Sequence, residues 1–159
     1  MAHLLIQNPS GKTFSCGGTL ISDQHIITAA HCVVEDGTDK LFTIVNITLG
    51  SVDVNRAARH HQMVSWKVLA IPEINANLLE HDIAVIILAK PAILNGNLNK
   101  ILNRILNEIK NCKLDYVQPA CLPFAHDSDQ VNDSVIFTGW GQQSTGGILF
   151  YILNTFVSN

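Results

Sequence analysis

The sequence predicts an all-β protein, a sandwich or barrel of short strands, and two observations carry that reading. Apolar and β-branched residues cluster in short runs at 13–22, 25–29, 42–49, 63–71 and 83–88. Such residues suit a pleated, half-buried surface. Turn-forming residues punctuate the runs, and strands at this spacing belong to sandwiches and barrels.

Each element has its own local reason. Asn8-Pro9-Ser10-Gly11-Lys12 lies between two apolar stretches and reads as a hairpin loop. Residues 13–22 and 25–29 read as strands, and a short turn through His31 and Cys32 follows. Glu35-Asp36-Gly37-Thr38-Asp39 is a polar loop; the β-branched run at 42–49 comes next, and Gly50 ends it. Residues 63–71 and 83–88 read as two more strands, the second an almost continuous apolar run. The period then changes. Leu94, Leu98, Ile101, Leu102, Ile105 and Ile109 fall at helical spacing, which predicts a surface helix over 94–109. The chain returns to loop through Gln118-Pro119-Ala120-Cys121-Leu122-Pro123, and strands are expected at 134–138 and at about 148–157.

The 159 residues suffice for one domain with a sizeable core. A formal net charge of −3 and a pI near 6.1 exclude a global basic field of the kind that draws nucleic acid or acidic membranes. With 47% hydrophobic and 14% charged residues the chain is apolar for a free-standing domain, a balance that fits a missing partner surface. No apolar run approaches the length of a membrane span. The six residues from Met1 to Ile6 are too few for a signal-peptide core, so either the protein is cytosolic or its targeting segment is expected outside this chain.

Four cysteines, Cys16, Cys32, Cys112 and Cys121, allow three pairings that the sequence does not rank. Their even number is compatible with an oxidising compartment, as are the glycosylation sequons at Asn46 and Asn132. Asn8-Pro9-Ser10 is excluded as a third sequon by its proline.

The residue of most chemical interest is His31, in Thr28-Ala29-Ala30-His31-Cys32. A histidine acts as a general base near neutral pH if an acceptor orients it and a proton donor stands before it. The suggestive carboxylate is Asp82, at the mouth of the run 83–88, where an aspartate would be held rigidly and partly shielded. Spacing alone does not join the two.

Cys16-Gly17-Gly18-Thr19-Leu20-Ile21-Ser22, Thr28-Ala29-Ala30-His31-Cys32, His81-Asp82-Ile83-Ala84, Gln118-Pro119-Ala120-Cys121-Leu122-Pro123 and Thr138-Gly139-Trp140-Gly141 stand in this order and span most of the chain. Together they closely resemble the trypsin-like (chymotrypsin-family) serine proteases. The resemblance implies an antiparallel Greek-key β-barrel, nearly complete, followed by a truncated second barrel. The expected divisions are 1–90 for the first barrel, 91–116 for an inserted, helical segment, and 117–159 for the linker and first strands of the second.

By the same resemblance His31 matches the general base, Asp82 the aspartate that orients it, and Cys16 and Cys32 a bridge that pins the histidine's turn. In many relatives the cysteine matching Cys121 bonds to a segment outside the catalytic domain; here a local Cys112–Cys121 bridge is preferred. The Gly-Asp-Ser-Gly-Gly stretch that carries the family's nucleophile is absent, and Ser144-Thr145-Gly146-Gly147 lacks its Asp-Ser pair. The Ile-Val-Gly-Gly start is absent too. The expectation is therefore a secreted serine endopeptidase, acting on protein or peptide substrates, of which this chain is a fragment inactive alone. The alternative is a non-catalytic homologue that serves as a binding or regulatory module. No cofactor is expected. His60-His61 reads as a solvated loop because adjacent residues on a strand face opposite ways. Some relatives bind calcium in the loop equivalent to 50–62, but Asp53 is its one carboxylate, too few ligands for a site.

Overall fold

The computed structural model describes residues 1–35, 40–56, 61–71, 81–94, 117–122, 135–142 and 149–158. Its strands are β1 (Ala2–Gln7), β2 (Thr13–Leu20), β3 (His25–Thr28), β4 (Thr43–Leu49), β5 (Gln62–Val64), β6 (Trp66–Ala70), β7 (Ala84–Leu88), β8 (Val135–Gln142) and β9 (Leu149–Ser158), with a 3-10 turn at Ala30–Cys32. The predicted helix at 94–109, beyond Leu94 itself, lies outside the described residues.

The first seven strands form one antiparallel sheet in the order β5-β4-β1-β2-β3-β7-β6. Three consecutive strands, β1 to β3, are followed by β4, which returns to lie beside β1. That is a Greek key. The run read as one strand at 63–71 is two, β5 and β6, broken at Ser65. Because these sheet-end strands are almost continuous in the chain, the sheet curls until its two edges meet, and the barrel is nearly closed. Trp66 Nε1–H reaches from β6 to the Ile44 carbonyl on β4 at 3.3 Å, and the Ala89 N–H donates to the Ser65 carbonyl at the break.

Period-two alternation fills the barrel. In β1, Ala2, Leu4 and Ile6 are buried while His3, Leu5 and Gln7 lie on the other face. In β7, Ala84, Ile86 and Leu88 are buried, and Val85 and Ile87 are only half-buried, so the continuous apolar run still has an inside and an outside. With Leu4, Ile6, Ile86 and Leu88, the side chains of Leu20, Ile26, Val33, Ile47 and Leu49 are the large, fully buried ones among the described residues. Each such side chain contributes about 1.5–3 kcal/mol relative to exposure. Residues 117–122 run along the barrel: Val117 is buried with the core, and the Ala120 N–H donates to the Leu20 carbonyl.

Strands β8 and β9 pair antiparallel as a separate two-stranded sheet. The first continues through Gly139-Trp140-Gly141, where its register shifts. Trp140 packs edge-on against His3, with ring centroids 5.5 Å apart, and its indole N–H donates to the Val52 carbonyl at 3.1 Å. This indole ties the second sheet to the outer face of the barrel.

Candidate active site

The strand register explains why His31 and Asp82 meet. Thr28, the last residue of β3, pairs with Ala84, the first of β7. The turn after β3 and the residues before β7 therefore leave the sheet side by side. His31 lies in that 3-10 turn and Asp82 two residues before Ala84. Asp82 Oδ1 accepts the His31 backbone N–H at 2.9 Å, and Oδ2 lies 2.7 Å from His31 Nδ1.

Several contacts fix the histidine's turn. Ala30 is fully buried beneath it, and Thr28 Oγ1 donates to the Gly17 carbonyl at 2.8 Å. A disulfide joins Cys32 to Cys16 on β2, with Cα atoms 6.2 Å apart and a sequence separation of 16. Closing a loop of that length contributes about 3 kcal/mol by restricting the unfolded chain. Gly18 makes a close approach possible: a Cβ there would sit 2.7 Å from Ile26 Cγ2.

On the other side, His81 has a φ of 59°, in the left-handed region, and its carbonyl accepts the Ile83 N–H at 2.7 Å. This tight turn aims the Asp82 side chain back at His31. Burial pushes the Asp82 carboxyl upward, but hydrogen bonds from the His31 backbone and ring, the charge of His31 and a bond from the Ala30 backbone together hold it below its ordinary value. A carboxylate facing Nδ1 places the ring proton there and leaves Nε2 as the acceptor. Half of the His31 side chain is exposed, and Nε2 has no partner among the described residues. Beside Asp82, residues including Gly17, Thr28, Ile83 and Thr138 line an open cleft of about 420 Å³.

The trypsin family model matches residues 1–159, the whole chain. The chain belongs to the trypsin family. It is 31% identical over 161 residues to phenoloxidase-activating factor 3 of Holotrichia diomphalia, covering 91% of this chain and 39% of that protein. It is 32% identical over 138 residues to a trypsin of Phaedon cochleariae, covering 87% of this chain and 45% of that one. The chain thus spans less than half the length of these relatives. The solved structure of GrC superposes with a TM-score of 0.74 at 21% identity, over 98% of this chain and 57% of that one, a likeness of fold.

Within this trypsin-family barrel the structure brings together His31, Asp82, Cys16 and Cys32. Cys121 is exposed with a free thiol, and Cys112 lies outside the described residues. Asn46 is half-buried on β4; Asn132, His60 and 144–147 lie outside the described residues. In the loop after Gly50, Asp53 is 3.5 Å from Arg56. Among the described residues no group of three or more His, Cys, Asp or Glu side chains could hold a metal ion, and no helix is long and apolar enough to cross a membrane. Two positioning features escaped sequence reasoning. Neither the left-handed His81 nor the Gln62 side chain, which donates to the Ile93 carbonyl and accepts its N–H at 2.8 Å each, carries a local sequence signal.

Proposed function

We propose that the protein containing this chain is an extracellular serine endopeptidase, with His31 as its general base and Asp82 as the residue that orients it. The observation that carries the reading is the double contact of Asp82 with His31, which leaves Nε2 without a partner among the described residues on a half-exposed ring. Nε2 would take the proton of a serine hydroxyl as it attacks the peptide carbonyl, then return it to the leaving amine. Asp82 would stabilise the imidazolium between these steps without taking its proton. Membership of the trypsin family and a disulfide beside the histidine support action on proteins in an oxidising compartment.

In this reading residues 1–90 form the first barrel, 91–116 an insert, and 117–159 the linker and start of the second. The nucleophile, the oxyanion hole and the specificity pocket come from sequence outside these 159 residues, and the chain alone is inactive. The test is covalent labelling of the full-length protein by a serine-reactive fluorophosphonate, with the isolated chain and a His31→Ala variant in parallel. Labelling of the full-length protein alone supports the reading. A correctly processed full-length protein that takes no label points instead to a non-catalytic homologue acting as a binding or regulatory module.

A further inference from the structure

The barrel wall opens where β4 leaves β5. Their ladder runs only from Ile47 opposite Val64 to Leu49 opposite Gln62. Before Ile47 the strand parts from the chain that continues into β6, leaving a groove of about 320 Å³ lined by Ile44, Val45, Asn46, Met63, Ser65 and Trp66 among others. The groove's exposed lining is more polar than apolar, but three large apolar side chains on it face solvent: Met63 is 69% exposed, Val45 51% and Trp66 37%. The bond from the Trp66 indole to the Ile44 carbonyl holds the ring at the groove's margin. Exposed apolar side chains beside a splayed strand pair are a place for unwanted association.

Asn46 stands in this groove and opens Asn46-Ile47-Thr48, an acceptor sequence for N-glycosylation. Residues two apart on a strand share a face, and Asn46 Nδ2 points at Thr48 Oγ1 from 3.5 Å. The asparagine is half-buried, and Thr48 is only 5% exposed.

We propose that Asn46 carries an N-linked oligosaccharide whose first N-acetylglucosamine units lie along this groove, their apolar faces against Trp66 and Met63. The proposal rests on the extracellular reading above. The donor is a lipid-linked oligosaccharide pyrophosphate. Asn46 Nδ2 bonds to the anomeric carbon of its first sugar, the anomeric C–O bond breaks, and the lipid pyrophosphate leaves with that electron pair. The proton lost from Nδ2 passes to a base on the transferase. Because Thr48 is nearly enclosed in the finished barrel, transfer precedes the folding of β4. The glycan then covers the Met63 and Trp66 side chains that the barrel leaves exposed, and its hydroxyls meet the groove's polar lining.

The test expresses the full-length protein with its own N-terminus in eukaryotic cells, with an extra sequon in a C-terminal tag as reporter. Glycopeptide mass spectrometry should find sugar at Asn46 and at the reporter. Asn46→Gln and Thr48→Ala should each remove one glycosidase-sensitive mass shift. Hydroxyl-radical footprinting should show oxidation of Met63 and Trp66 rising several-fold when the glycan is trimmed. A modified reporter beside a bare Asn46 overturns the site and leaves the extracellular reading standing. A bare reporter overturns both. Sugar at Asn46 with oxidation unchanged by trimming overturns the placement over the groove.

Discussion

Asp82 holds His31 at two points, the backbone N–H through Oδ1 at 2.9 Å and ring Nδ1 through Oδ2 at 2.7 Å. The first bond fixes where the turn sits; the second fixes the ring and its tautomer. Asp82→Asn separates these roles, because an amide can still accept the backbone N–H. Its NH2 group facing Nδ1 favours the tautomer protonated on Nε2, which cannot act as a base. In the full-length protein kcat should fall by about 10⁴ with KM little changed. Steady-state kinetics on a peptide substrate measures this, and a loss of only about tenfold would show that Asp82 does not set the tautomer.

The same pair sets a pH dependence of stability. The Asp82 carboxyl is held below its ordinary value of 3.8. Between the two values the unfolded chain binds more protons than the folded one, so stability rises with pH. The contribution is complete above the unfolded value and is lost as pH falls through the folded one. Urea midpoints of wild type and Asp82→Asn, taken stepwise downward from about pH 5, should therefore converge toward acid. A gap that stays constant through this range would mean that the His31 contacts do not stabilise the carboxylate.

Much of the barrel was legible because its causes are local. The hairpin at residues 8–12 is an example. Asn8 Oδ1 accepts the Lys12 N–H and the Ser10 hydroxyl, and Gly11 takes a φ of 86°, as turn chemistry implies. His31 and Asp82 are different. They stand 51 residues apart and meet through the β3–β7 register, a long-range property that no window of sequence contains. Resemblance to a family supplied that pairing. The break at Ser65 was illegible for a related reason: 63–71 is uniformly strand-like, and only closure of the sheet forces the bend. Likewise, Trp140 stands in one of the motifs that carry the family resemblance, while its ring partner, His3, lies at the far end of the chain.

Adjacent glycines should respond oppositely to the same change. A methyl at Gly18 would meet Ile26 Cγ2 at 2.7 Å and the Ile27 carbonyl at 3.3 Å, whereas one at Gly17 meets nothing within 4 Å. Gly18→Ala must push β3 away from β2 and should cost about 1–3 kcal/mol. Gly17→Ala should be close to neutral or slightly stabilising, because it restricts the unfolded chain. Chemical denaturation of both variants in one background gives the comparison. Equal losses would show that the β2–β3 spacing is set by something other than the missing side chain.

His81 offers the sharpest separation of stability from positioning. It holds a φ of 59° without being glycine, and the turn it makes delivers Asp82 to His31. The left-handed conformation costs an ordinary residue about 1–2 kcal/mol, and a β-branched one more. His81→Gly should preserve stability or raise it, since the strain vanishes. His81→Val should lower stability further, by the excess that a β-branched side chain adds to the cost His81 already bears. It should also depress kcat, because relief of the strain by a right-handed backbone would swing Asp82 off Nδ1. Thermal melts report the first effect and steady-state kinetics the second. If valine and glycine were tolerated alike in both measurements, the turn would be able to relax without moving Asp82, and the left-handed residue would have no part in aiming the carboxylate.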